Sequence, residues 1–326
     1  MSTIRISDAN ATFRLRGAVS SSAAVAIQNF AFSTINNNSI YTTQKLGNMT
    51  ILSIYEKASN PLYMNKLGDK GLAGFGHGET LECTVCGKEN FEYIWIGSNA
   101  VIGEGTAEDS NWWATSIERL LIRQNDLYIA EEKELIHFKY STSDGKALTN
   151  ENVSRVVASI SEDCKKIGFT VYFPSSIYYC IYNYEILNNI LSTNGKKQFS
   201  MKEMTAAHIV SFKGNKIKKF QSMELGNGRD IYIASGNLNL GVQNKIEKYL
   251  YNSNTNKMPN VSGNLSIEIE TGISFGASSS AEIEGIKIYG NNIYFLMNFP
   301  RDYNGNYDGN HANRTVMYMF PKTIIN

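Results

Sequence analysis

The chain has 326 residues, with 31 basic and 30 acidic side chains and a formal charge of +1. So even a balance excludes strong bulk attraction to nucleic acid or to an anionic membrane. Charged residues are only 19% of the chain, while 36 Asn, 26 Gly, 19 Tyr and 15 Phe stand beside only 5 Pro, a turn-rich, aromatic and β-leaning mixture.

No run of about 18 apolar residues occurs, so no transmembrane segment is expected. Residues 1–17, MSTIRISDANATFRLRG, lack the apolar core of a signal peptide. The expectation is a protein secreted or released without a visible signal peptide. Four cysteines are too few for a disulfide scaffold.

In chain order, strand patterns recur with one helical interruption. Residues 24–31 and 49–55 form a first pair of apolar runs. Residues 79–83 (ETLEC) turn through 87–90 and return as 91–96, followed by a strand pattern at 117–122. Residues 157–160 turn through 161–166 and return as 167–173, followed by 177–184. Residues 184–191, YEILNNIL, carry helix-like spacing at Ile186, Leu187, Ile190 and Leu191. Residues 221–225 (QSMEL) turn through GNGRD and return as 231–234, and 245–251 follow. Residues 284–288 (EGIKI) turn through 289–292 and return as 293–297, and 315–320 follow. The shared unit is a polar Glu or Gln, alternating apolar residues, a Gly/Asn turn and an apolar strand.

Five units of about 65 residues fill the chain, each with about four strands, as in a propeller blade. The expected fold is all-β, a five-bladed β-propeller in one domain over 1–326. Its blades are placed at about 18–75, 76–130, 150–195, 205–255 and 265–322. Radial repetition leaves few open sheet edges.

Several of these stretches resemble the helveticin J-like proteins, a group of large, heat-sensitive (class III) bacteriocins. The carriers are GHGETLE at 76–82, FQSMELGNGRDIYIASG at 220–236 and AEIEGIKIYGNNIYFLMNF at 281–299. ISEDCKKIGFTVYF followed by YNYEILNNIL matches the family's middle region in pattern. The sequence departs at Val157, where the family tends to carry an acidic residue. The resemblance implies a five-bladed propeller and killing of related bacteria. It supplies no catalytic residues.

Several motifs carry a sharper reading beside a plainer one. Cys83 and Cys86 have the spacing of half a zinc site, but Cys164 and Cys180 are not a second close pair, so small strand or turn residues are expected. Residues 272–276 read G-x-S-x-G, with Asp302 or Asp308 and His311 following in hydrolase order. No helix pattern follows, so the elbow geometry is not expected. Asp302, Asn304, Asn306 and Asp308 place oxygen ligands at alternate positions, a weak calcium candidate against the plainer reading of a solvated Asn/Gly loop. His77, His137, His208 and His311 show no metal-ligand pairing, and His77 stands beside Glu79. No cofactor and no metal are expected.

Glu79, Gln221 and Glu284 open three of the units, so radial repetition would bring them together around an axis. They could line a channel or ligand site, or each could cap its own blade. Trp112 and Trp113 are adjacent in a polar, loop-like stretch. Neighbouring strand residues point to opposite faces, so at least one indole is expected near the surface.

The first reading is an antibacterial protein that recognises a cell-envelope glycan or surface receptor of related bacteria. Its ligand-binding candidates are Trp112, Trp113, His77, Glu79, Gln221 and Glu284. A second reading is a peptidoglycan hydrolase using Glu79 and Glu284. A third is a lectin-like or toxin-associated module with no killing of its own.

Overall fold

Short β-branched and aromatic runs punctuated by Gly and Asn make strands that reverse tightly. The computed structural model describes residues 2–7, 11–16, 24–46, 48–102, 112–238, 241–252, 260–269, 281–299 and 314–325. The calcium candidate Asp302, Asn304, Asn306 and Asp308, the G-x-S-x-G stretch and His311 lie outside the described residues.

Two strands, β1 (Ser2–Ile6) and β2 (Ala11–Arg16), precede β3 (Ala24–Phe32), β4 (Ser39–Leu46), β5 (Met49–Lys57) and β6 (Tyr63–Ala73). Next come β7 (Leu81–Val85), β8 (Phe91–Ile102), β9 (Trp112–Arg123) and β10 (Tyr128–Ile136). Then β11 (Arg155–Ile160), β12 (Lys166–Tyr172) and β13 (Ile177–Asn183) lead into helix α1 (Tyr184–Thr193), β14 (Gln198–Ser200) and β15 (His208–Gly214). The remainder is β16 (Phe220–Leu225), β17 (Asp230–Asn237), β18 (Val242–Leu250), β19 (Val261–Ile269), β20 (Glu282–Tyr289), β21 (Asn292–Phe299) and β22 (Arg314–Pro321).

These strands form four sheets. One is β7-β8-β9-β10 with β14 outermost, and another is β11-β12-β13-β15. A third is β16-β17-β18-β19 with β1 added in parallel. The eight-stranded sheet runs β20-β21-β22-β2-β6-β5-β4-β3. Its two halves are joined into one sheet where β2 pairs in parallel with β6, over Arg14–Tyr63, Leu15–Met64 and Arg16–Asn65. The first strands of successive groups touch in a closed cycle, β3 to β7 to β11 to β16 to β20 and back to β3.

The expected hairpins at 79–96, 157–173, 221–234 and 284–297 correspond to β7-β8, β11-β12, β16-β17 and β20-β21. Strand pairing crosses several of the expected limits. The 150–195 group takes its fourth strand from His208–Gly214, and the group ending near 255 continues through β19 to Ile269. β1 adds an outer strand to one sheet, and β2 is inserted between β22 and β6 of another. An unanticipated β4 lies between the first two runs, hidden because its buried positions on both faces include the polar Thr42, Thr43 and Gln44.

Both faces of most strands are covered, so apolar runs are nearly continuous instead of alternating. In β11, Val156, Ala158 and Ile160 join a core with Trp95, Ile117 and Leu135. Val157 points the other way, against Tyr179, Met223 and Ile233. Five such hydrophobic cores occur among the described residues. Burying each large apolar side chain contributes about 1.5–3 kcal/mol.

Helix α1 begins where expected, capped by the Asn183 side chain, which accepts from Ile186 N at 3.0 Å. It buries Tyr184, Leu187 and Leu191. Arg119 of β9 fixes it to the neighbouring sheet, donating to Asn188 O at 3.3 Å and Ser192 Oγ at 3.0 Å.

Candidate functional site

The cycle of first strands brings charged side chains together at two levels. At one level, β11 opens with Arg155, whose guanidinium donates to the Glu79 carboxylate just ahead of β7. The same guanidinium lies 4.3 Å from the Trp113 ring centre, 4.8 Å from Tyr172 and 5.1 Å from Phe220. Three aromatic faces therefore surround one ion-paired cation, an arrangement favoured by the ring quadrupole.

His77 stacks on Trp113, with ring centres 4.7 Å apart and planes inclined by 31°. The surrounding glycines make this approach possible. Gly76 has φ +82°, and a Cβ there would meet Trp112 O at 2.8 Å and Ala100 Cβ at 2.9 Å. The carbonyls on either side of His77 are held by hydroxyls: Thr50 Oγ1 donates to Gly76 O at 2.8 Å and Thr43 Oγ1 to Gly78 O at 2.5 Å. His77 Nδ1 lies 4.0 Å from Glu79 Oε1. The Glu79 backbone oxygen accepts from Asn29 Nδ2 at 2.6 Å.

Burial pushes the Glu79 carboxyl up to about 7, against the opposing pull of Arg155 and Lys45. Burial, then Lys45 and Arg155, push His77 well below its ordinary value. Glu284 is buried and held well above the carboxylate range by burial, by Glu282 and by Glu79. Gln221 donates to Glu282 Oε1 at 2.5 Å, and Asn237 Nδ2 donates to the same oxygen at 2.7 Å.

His77, Glu79 and Trp113 are thus in one constellation, and Glu284 is close enough to influence Glu79. Gln221 is engaged with Glu282 beside it. Trp112 is half-buried on the opposite face of β9, across from Ile102, which is 55% exposed. The tryptophan pair does not sit in a loop, as its polar neighbours suggested. Both residues are in β9, because that strand extends to pair with the tip of β8.

At the second level, Lys287 of β20 donates to Glu82 Oε1 at 2.5 Å and to Glu224 Oε2 at 3.1 Å. Ser159 Oγ of β11 also donates to Glu224 Oε2, at 3.0 Å. All three ionic groups are buried. Burial and the neighbouring Glu224 lift Glu82 to about 8, against the pull of Lys287.

Sequence reasoning missed Arg155, Tyr172 and Phe220, and also this second level. Its trace was present: three residues after Glu79, Gln221 and Glu284 stand Glu82, Glu224 and Lys287. Elsewhere, Cys83 donates to Glu92 Oε1 at 3.1 Å and Cys86 to Phe91 O at 2.9 Å. Glu92 also accepts from Ser33 and Tyr41, tying the turn after β3 and strand β4 to β8. No group of three metal-ligating side chains occurs among the described residues.

Interlocked sheets around a ring of first strands, with a stacked Trp–His–Arg cluster beside it, define an all-β protein. The chain belongs to the bacteriocin helveticin-J family, whose model matches residues 8–320. Among solved structures it is similar to the tail fiber of Staphylococcus aureus phage P68, at TM-score 0.56 and 14% identity. That match covers 96% of this chain and 52% of the tail fiber, so the chain spans about half the length of that protein. Weaker likenesses include the Dos1 propeller (TM-score 0.39, 8% identity, 90% of this chain and 67% of that one). Another is the periplasmic gluconolactonase PpgL of Pseudomonas aeruginosa (TM-score 0.41, 10% identity, 88% and 68%). A search of curated proteins found no match. No helix among the described residues is long and apolar enough to cross a membrane.

Proposed function

We propose that the chain is a five-bladed propeller acting as an antibacterial protein that recognises an envelope glycan or surface receptor of bacteria. The closed cycle of five first strands and the five separate cores support the fold reading. The eight-stranded sheet then counts as two blades zipped at β2 and β6. The blades become β3–β6; β7–β10 with β14; β11–β13 with β15; β16–β19 with β1; and β20–β22 with β2.

The observation that carries the recognition reading is the half-buried Trp113 ring, held rigid by His77 and Arg155. A fixed aromatic face with polar groups beside it suits a sugar ring or a receptor side chain. Family membership supports the antibacterial reading, and the likeness to a phage tail fiber fits a surface-binding role. A hydrolase using Glu79 and Glu284 is served less well, because both carboxylates are buried and Glu79 is engaged by Arg155.

The test applies purified protein to susceptible bacteria and to their isolated walls. Killing and wall binding without release of soluble muropeptides is the expected result. Muropeptide release would favour the hydrolase, and binding without killing would leave a lectin-like module.

A further inference from the structure

One short stretch of chain ties three blades together. β1 lies in parallel along β19, with Ser2 opposite Leu265 and Ile4 opposite Ile267. Its Ile4 and Ile6 are buried among Ile246 and Leu265 of that blade and Ile283 and Ile286 of the next. β2 is paired along both of its edges. Phe13 and Arg14 oppose Met317 and Val316 of β22, while Arg14, Leu15 and Arg16 oppose Tyr63, Met64 and Asn65 of β6. Leu15 is buried with Phe30 and Met64 of the β3–β6 blade and Leu296 and Met317 of the β20–β22 blade.

β6 leads into β7, β10 into β11, β15 into β16 and β19 into β20, so the chain itself crosses four of the five junctions between blades. No described segment leads from β22 to β3. β2 closes that junction instead, and it is the one place among the described residues where two neighbouring blades share a ladder. The ladder is short, and its β6 half is parallel, the slightly weaker pairing. Within the blades the ladders are longer: β21 and β22 pair from Asn292–Pro321 through to Phe299–Arg314. The Arg14 amide donates to Leu62 O at 2.8 Å, so its protection reports directly on whether β2 is seated.

We propose that β2 is a releasable clasp: the ring opens first at the junction it spans, ahead of any blade, with β1 anchoring the clasp at its far end. Local opening is drawn from the elements with the fewest backbone bonds and buried contacts. Lifting β2 would withdraw Leu15 and uncover Phe30, Leu296 and Met317, while every blade kept its own antiparallel ladders. The clasp depends on the blade division given above and not on the ligand, so envelope binding through Trp113 would survive its failure.

Native-state hydrogen exchange on the full chain tests this. The Arg14 amide should exchange through a partial opening at denaturant concentrations where the β12 and β13 amides exchange only by global unfolding. Leu15→Ala should speed Arg14 exchange at least about tenfold, because the cavity it leaves weakens the seated state. Ile4→Ala, at the anchor, should speed it severalfold. Ile181→Ala, buried between two other blades, should leave it unchanged. If Leu15→Ala fails to fold, the unaltered protein and Ile4→Ala still decide the matter. An Arg14 amide that exchanges only by global unfolding would overturn the clasp. So would indifference to Leu15→Ala and Ile4→Ala alike, or an equal response to Ile181→Ala.

Discussion

The guanidinium of Arg155 is shared between the Glu79 carboxylate and the face of Trp113, 4.3 Å from that ring's centre. One side chain thus neutralises a buried acid and positions the candidate binding aromatic. Arg155→Ala would strip Glu79 of its counter-ion and cost about 3–5 kcal/mol, the usual penalty for leaving a buried charge unpaired. Arg155→Lys should cost less stability, because the charge remains. It should still weaken ligand binding, because an ammonium cannot reproduce the planar stack. Urea unfolding of both variants separates the two effects, and Glu79→Gln should recover part of the Arg155→Ala loss.

Lys287 sits between Glu82 and Glu224 with all three buried. Lys287→Met would leave two carboxylates facing each other without a cation. The expected loss is about 3–5 kcal/mol. Glu82→Gln should be far milder, because a one-to-one pair of Lys287 with Glu224 survives. Denaturant midpoints of the two variants check this ordering.

Stability should fall as pH rises through the neutral range. Glu79 and Glu82 are raised by burial from 4.5 to about 7 and about 8, so the folded state holds their protons more tightly than the unfolded state. Their contribution is complete below pH 4.5 and is lost as pH climbs through those values. His77 is lowered from 6.5 by burial, so its contribution runs oppositely and is lost as pH falls below 6.5. The clean window is therefore pH 6.5 to 8, where a loss of about 2 kcal/mol is expected. Melting temperatures across that window test it, and Glu82→Gln should flatten the slope.

Gly76→Ala should disturb the site without touching its chemistry. The new methyl would meet the Trp112 carbonyl at 2.8 Å, on a backbone with φ +82°. Strain of about 1–3 kcal/mol is expected, with Trp113 displaced from His77. Tryptophan fluorescence and ligand binding should both change.

Strand hairpins and the helix were legible because Gly/Asn turns and β-branched runs are local signals. Glu79-Thr80-Leu81 and Gln221-Ser222-Met223 showed the repeat directly. Pairings between distant segments were not legible, such as Ser2–Ile6 with β19 or Gln198–Ser200 with β10, because parallel additions leave no turn in the sequence. Among the candidates chosen for their polar and aromatic settings, His77, Glu79 and Trp113 lie together. Arg155 carried no signal because the apolar pattern of its unit begins at Val157, two residues downstream.

The central claim is that the Trp113 face recognises the bacterial envelope. The direct measurement is the dissociation constant of the protein, Trp113→Ala and Trp112→Ala for isolated envelopes of susceptible bacteria, with melting temperatures recorded alongside. Trp113→Ala should bind about tenfold more weakly, equivalent to 1.4 kcal/mol, and remain folded. Trp112, on the opposite face, should matter less. A folded Trp113→Ala that binds envelopes as tightly as the unaltered protein would contradict the account.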